Sequence, residues 1–484
     1  MVSGGGGARQ PAEEPPMQAE SPALEVLSPP LVAASVDSSV RERHPPGLAV
    51  LFATEMWERF SYYSMLAMFT LYLQDPVQGF GWARDRATRA YALYLACVYL
   101  SPLVGGYLAD RKLGYRRAVA LGGVFFLAGH LLLAVHSATV MIVALTCLVI
   151  GNGFFKPNVS AMVGRLYPEG SLLKDRAYNV FYMGINVGAF VAPLVAEVVR
   201  SRFGYHVAFA VAGGGMAISV ATLTIFRRHL AATEKGGVAS ARTEEPGRVR
   251  APIELVPERR RVLALLAVFA IVIVFWMAYN QNGATWTYFA NDNTDWTASA
   301  VVPVLLKVLT LGMLDASNAS GVVSNAINPF FVIVLTFPLL GFWSFLARRG
   351  REPGTPAKMA IGMLLVALAF VVMGRAGLAG GNVGRVSPWW LIGAYALLST
   401  GELMLSPMGL ALVAKVAPER ARGFLMGAWF VSISLGGYLV GVIGSYWSVW
   451  THSTFFFVVA ALAAALGAFL FTLIKPLGRA MPGV

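Results

Sequence analysis

Glu55-Met56-Trp57-Glu58-Arg59-Phe60-Ser61-Tyr62-Tyr63-Ser64-Met65-Leu66 places three ionisable side chains inside a run, residues 48–72, that otherwise reads as lipid-embedded. An ionised side chain at such depth costs about 2.5–3.5 kcal/mol on insertion scales unless it is paired or faces an aqueous cavity. Glu55, Glu58, Arg59, Tyr62 and Leu66 recur at i, i+3, i+4, i+7 and i+11, so a helix gathers them on one stripe. That stripe has to look inward, toward other helices.

The remainder of the chain supplies those helices. Hydrophobic residues make up 57% of it and charged residues 13%, against roughly a quarter charged in soluble domains, and mean hydropathy is +0.63. Apolar runs of about 20 residues, enough for a helix to cross about 30 Å of hydrocarbon, recur at 48–72, 89–109, 117–136, 140–165, 177–200, 205–228, 261–288, 320–347, 357–374, 389–415, 422–444 and 452–474. The expectation is an all-α membrane protein with twelve transmembrane helices. Barrel strands would leave a much weaker apolar signal. The run at 297–314, with Lys307 inside it and Asp315 beside it, is short for a span and reads as an interfacial or re-entrant part of an external loop.

Residues 1–46, rich in Gly, Pro, Glu and Ser, read as a disordered cytoplasmic tail. No apolar core of signal-peptide size lies near Met1, so no cleavable leader is expected. A six-helix bundle is expected over 47–228, a basic cytoplasmic linker over 229–260, a second bundle over 261–475 and a cytoplasmic tail over 476–484. With both termini inside the cell, Arg111-Lys112, Arg116-Arg117, Arg227-Arg228, Arg259-Arg260-Arg261 and Arg348-Arg349 all fall on the cytoplasmic side, as the positive-inside rule requires of an inner-membrane protein. The net charge of +13 is thereby assigned to topology and not to nucleic acid. Cys97 and Cys147 lie in spans, and the spans hold no Ser/His/Asp, metal-ligand or phosphate-loop arrangement. No enzyme, cofactor or metal site is therefore expected.

Two six-helix halves joined by a basic linker resemble the major facilitator superfamily, whose halves rock around a site near the bilayer midplane. Gly106-Tyr107-Leu108-Ala109-Asp110-Arg111-Lys112-Leu113-Gly114-Tyr115-Arg116-Arg117, between the second and third spans, is similar to that superfamily's loop motif. Gly114 suits a tight turn there, and Asp110 can cap a helix end and meet a nearby Arg.

Two carboxylates and one Arg leave the first stripe net negative. Lys156, in Gly151-Asn152-Gly153-Phe154-Phe155-Lys156-Pro157-Asn158 of the fourth span, lies at a depth similar to Glu58 and is the expected second cation. Such a cluster reads either as a static salt bridge joining two helices or as a site that trades a proton for pairing. Glu402 sits near the middle of the tenth span, the most expensive depth for an acid.

Glu55-x-x-Glu58-Arg59-Phe60-x-Tyr62-Tyr63 is similar to the first-helix signature of the proton-dependent oligopeptide transporter family, a branch of that superfamily. Lys156-Pro157-Asn158, Phe181-Tyr182-Met183-Gly184-Ile185-Asn186-Val187-Gly188 and Gly401-Glu402-Leu403-Met404-Leu405-Ser406-Pro407 resemble its fourth-, fifth- and tenth-helix motifs, with Asn328-Pro329 on the eighth span. The resemblance implies proton-driven import of di- and tripeptides by a single chain, in the bilayer, by alternating access. It also implies that Glu55, Glu58, Arg59 and Lys156 carry proton coupling. The peptide carboxylate would meet Arg59 and Lys156 and its amino group Glu402. Asn186 and Asn328 would hold backbone amides, and Tyr62, Tyr63 and Tyr99 would line the cavity.

Peptide-transporting relatives typically carry Arg seven residues after the first-helix Arg and an acid on the seventh helix. Here those positions are Leu66 and Asn280. Depth counting puts both in the outer half, facing each other, so the paired loss leaves no stranded charge. Asn280 joins the candidate substrate contacts, and the outer gate is expected to close by packing and amide hydrogen bonds, including Trp276 and Gln281, without an ion pair. A carrier of nitrate, an amino acid or another small solute, and a membrane sensor that binds peptide without moving it, are the alternatives.

Overall fold

Backbone N–H and C=O groups find no water in hydrocarbon, so each apolar run coils into a helix that satisfies its own polar groups. In the computed structural model these helices are α1 (Pro46–Gln74), α2 (Arg84–Leu108), α3 (Tyr115–Leu133), α4 (Ala138–Arg165), α5 (Leu173–Phe203), α6 (Tyr205–Ile225), α7 (Glu258–Tyr279), α8 (Thr285–Asp292), α9 (Val302–Leu309), α10 (Ile327–Arg348), α11 (Thr355–Gly380), α12 (Trp389–Leu405), α13 (Arg422–Gly444) and α14 (His452–Ala480). The structure describes residues 1, 4, 43–168, 171, 173–233, 252–405, 412–413 and 415–482. Nearly all of the expected tail at 1–46, residues 234–251 of the expected linker, and Ser406 and Pro407 lie outside the described residues. His44–Val484 form one compact unit.

Among the described residues, ten helical segments are long and apolar enough to cross a membrane. Two more complete the twelve expected spans: α1, diluted by its polar stripe, and α12, described over 17 residues. The seventh span is not the continuous helix expected over 261–288. It breaks into a 3-10 turn at Asn280–Gly283 before α8 resumes, where two Asn and a Gly are poor at continuing a helix. The run at 297–314 yields only the eight-residue α9, at about 12 Å too short to cross. The last helix continues through Pro476 to Ala480, taking in part of the expected tail.

The buried apolar side chains gather in two clusters, one built mainly from α1–α6 and the other from α7–α14. Within the first half, helices approach until backbones touch. A side chain at Gly105 of α2 would lie 1.9 Å from the carbonyl oxygen of Gly153 on α4, and one at Gly188 of α5 would lie 2.3 Å from that of Met56 on α1. Lipid gives no hydrophobic incentive for helices to associate, so this close fit supplies the packing.

The two halves meet where α2 runs along α13 and where α5 meets α10 and the 3-10 turn Gly321–Ala326. Their bonds concentrate at the end opposite the Gly106–Arg117 loop. Thr70 of α1 donates to the Gly283 carbonyl (3.3 Å), Thr88 of α2 bonds the Tyr288 hydroxyl (3.0 Å), and Arg84 pairs with Asp292 (2.5 Å). The expectation of a gate without an ion pair fails here. The pair lies on α2 and α8, nearer that end of the bundle than Leu66 and Asn280, and both partners stay about one-third exposed and cost little to bury.

Gly188→Ala should force α5 away from the charged turn of α1 and destabilise the protein by about 1–3 kcal/mol. Gly214→Ala on α6, where a side chain meets open space, should leave the midpoint of thermal unfolding unchanged. Equal midpoints for the two variants would show that the α1–α5 contact is not tight.

Candidate functional site

The helical register of α1 delivers Glu55, Glu58 and Arg59 to its buried face, and none of the three is more than 3% exposed. The Arg59 guanidinium grips Glu58 with two N–H groups, Nη2 reaching Oε1 at 2.5 Å and Nε reaching Oε2, while Nε also lies 3.3 Å from Glu55 Oε1. The planar fork of Arg thus serves two carboxylates at once. One acceptor is left over: Glu55 Oε2 is buried with no hydrogen-bond partner.

Lys156 departs from expectation in detail. The Gly105–Gly153 contact and the bond from Asn152 Nδ2 to the Val98 carbonyl (2.8 Å) hold α4 against α2, and this places the Lys156 ammonium 5.1 Å from the centre of the Tyr99 ring. Its charge bears on both carboxylates, yet it makes no direct ion pair with either. Arg59 already occupies the near faces of the acids, and Tyr99 offers Lys156 a cation–π seat instead. Two cations therefore stand beside two acids, one clamped and one unclamped.

Around them lie aromatic rings. Arg59 lies over Tyr62, Tyr62 meets Tyr63 edge-on at 5.2 Å, and Tyr99 approaches Trp276 of the other half at 6.1 Å. Tyr63 stands within electrostatic reach of both Arg59 and Glu402.

Glu402 belongs to a different kind of cluster. Asn328 Nδ2 donates to Glu402 Oε2 and to Ser399 Oγ, both at 2.9 Å, and Asn328 Oδ1 accepts from the Tyr279 hydroxyl at 3.1 Å. The Asn328 amide, expected to hold a peptide backbone, is here engaged by protein groups. Glu402 is a buried acid with neutral bonding partners, which leaves it an open demand for a cation. Asn186 donates to the Tyr182 carbonyl one turn back on its own helix (2.9 Å).

Leu66 is half-buried against the first half's core, and Asn280 is buried with its Nδ2 lacking a partner. α1 touches the Asn280–Gly283 turn, and the bond between them comes from Thr70, one turn beyond Leu66. Tyr279 and Ser399 were not singled out from sequence. Ser399 lies three residues before Glu402 and so shares its face, which was the available signal; Tyr279 adjoins Asn280 but carries no charge to draw attention.

The chain matches the family model described as the POT family over residues 116–246 and 320–463. It is 31% identical to the peptide transporter YePEPT of Yersinia enterocolitica, covering 83% of this chain and 88% of that protein. A di-/tripeptide transporter of Lactococcus lactis is 29% identical over 91% of this chain and 97% of its own. Among solved structures, a peptide transporter POT in complex with sulfate superposes with a TM-score of 0.79 at 29% identity, over 91% of this chain and 96% of that one. A variant of it in complex with alafosfalin has the same TM-score, identity and coverage. The family match, the coverage of these relatives and the shared two-half fold show that the chain belongs to the POT family, the proton-dependent oligopeptide transporters of the major facilitator fold.

Proposed function

We propose that this protein is a proton-coupled symporter that imports di- and tripeptides by alternating access. The observation that carries the reading is the pairing of an unclamped cation, Lys156, and a clamped one, Arg59, in one half with an acid lacking a cation, Glu402, in the other. A peptide presents a carboxylate and an ammonium at a limited range of separations, and this arrangement has a centre for each. The tyrosines and Asn186 tolerate the variable middle. Support also comes from the relatives, which are themselves described as peptide transporters.

In this mechanism the peptide carboxylate meets Lys156 first, because Lys156 has no acid to leave. Protonation of Glu58 or Glu55 loosens the fork of Arg59, which then turns to the same carboxylate. On the opposite side the peptide ammonium displaces the Asn328 amide from Glu402. Release of peptide and proton to the cytoplasm returns Arg59 to its two acids. The closed end seen here, away from the basic loops, then faces outward, and both termini lie in the cytoplasm.

A second reading, carriage of another small solute, draws on Leu66 and on the unpartnered amide of Asn280. An outer half that lacks the Arg and acid of related carriers has fewer charges for a peptide's termini.

In liposomes with an imposed pH gradient, Glu58→Gln should lower uptake of a dipeptide more than tenfold while leaving peptide-for-peptide exchange in place. Full gradient-driven uptake by the variant would remove Glu58 from the coupling. Glu402→Gln should raise KM for a dipeptide by about tenfold, the equivalent of one charge-assisted bond, and should erase the preference for a free over an N-acetylated amino terminus; a retained preference would assign the ammonium elsewhere. Leu66→Arg alone should lower the unfolding midpoint by stranding a charge, at about 3–5 kcal/mol, and Asn280→Glu added to it should recover most of the loss. Failure to recover would mean that the two positions do not face each other.

A further inference from the structure

Glu197, near the end of α5, is fully buried, and the proposed transport cycle gives it no role. Its two carboxylate oxygens accept four hydrogen bonds. Arg200, three residues on in the same helix, donates Nε to Oε2 at 2.7 Å and Nη2 to Oε1 at 2.9 Å. From the other half, Ser320 donates its backbone N–H to Oε1 at 2.7 Å and its hydroxyl to Oε2 at 2.9 Å. Ser320 is itself the N-cap of the Gly321–Ala326 turn that runs into α10, its oxygen accepting from the Val322 N–H at 3.2 Å. A carboxylate therefore sits at the N-terminal end of a helical stretch of 28 residues in the opposite half, where negative charge is favoured. The next residue is fixed as well, since the Gly321 N–H donates to Asn291 Oδ1 of α8 at 3.1 Å.

We propose that Glu197 is a gating residue, a clasp that holds α5 to the start of α10 at the closed end and lets go with its charge still compensated. The design lies in which partner travels with it. When the halves part, the two bonds to Ser320 break, but Arg200 rides on the same helix and stays in place. The opened state is thereby spared an unpaired buried carboxylate, whose cost would lock the carrier shut. Arg84–Asp292 solves the same problem differently: its partners ride on opposite halves, and water reaches both as they separate. The closed end thus has two latches, a wet one between α2 and α8 and a dry one between α5 and α10.

This inference takes alternating access from the proposed function, and its test reads closure without any transported solute. Ala284, fully buried at the closed end, is replaced by cysteine in a Cys97→Ala background. Native Cys147, half-buried in α4 away from the closure, is the internal control. Maleimide modification of both cysteines is followed by peptide mass spectrometry on the purified full chain. Glu197→Gln should speed modification at position 284 by about tenfold, the loss expected from one or more charge-assisted bonds. Ser320→Ala, which removes one bond to Glu197 together with the cap on Val322 and leaves the Arg200 pair intact, should speed it severalfold, and it decides the matter if Glu197→Gln does not fold. In both variants Cys147 should react at its parental rate. Unchanged labelling at position 284 overturns the clasp, and so does a parallel rise at Cys147, which would mark general loosening of the fold. A carrier that labels as expected yet transports no peptide would sustain the clasp and refute the substrate reading.

Discussion

Two carboxylates and a guanidinium buried in one helix turn are the constraint around which this molecule is built. Hydrocarbon penalises each of these ions severely, so Glu55, Glu58 and Arg59 must satisfy one another and must be sealed from lipid. The seal is a set of helices brought to backbone contact. Gly188 sets α5 on the very turn of α1 that carries the cluster, and Gly105 with Gly153 sets α4 on α2. That second contact has a consequence for charge: it carries Lys156 to the edge of the cluster and leaves it over Tyr99, near the acids but outside their grip.

The result is an electrostatic asymmetry between the halves. The first holds cations and acids in near balance, with one acid oxygen unbonded. In the second the acid buried at mid-span, Glu402, is bonded by the neutral Asn328. Neither centre has its full set of charged partners, and in the proposed mechanism a zwitterionic peptide supplies one to each. Binding energy of that kind, different in the two arrangements of the halves, is what lets a substrate and a proton shift the balance between them. The closing contacts are correspondingly moderate: hydroxyl-to-carbonyl bonds, one half-wet ion pair and a carboxylate that keeps its own Arg.

Much of this was legible in the chain itself, and the limits have physical reasons. Spans are readable because a bilayer imposes a length of about 20 apolar residues, and the Glu55–Arg59 pair because helical period alone puts i and i+4 together. Depth along the membrane can also be counted, which is how Lys156 came to be matched with Glu58. Depth says nothing about how far a side chain reaches or what intervenes, so the Tyr99 ring could not be foreseen. Breaks are harder still: Asn280–Gly283 interrupts a span whose average hydropathy stays high. The two latches were hidden for a further reason. Arg84, Asp292, Glu197 and Ser320 lie at span edges, where charged and polar residues are ordinary, and only the packing of the two halves brings them together.

The central claim is that the cluster on α1 exchanges a proton when a peptide engages the cations beside it. Its most direct test is a peptide-driven proton flux: proteoliposomes loaded with a pH-sensitive dye, with no imposed pH gradient, receive a dipeptide from outside. Internal acidification that follows peptide entry and saturates with peptide concentration is the predicted result. Entry of the dipeptide with no change in internal pH would contradict the account.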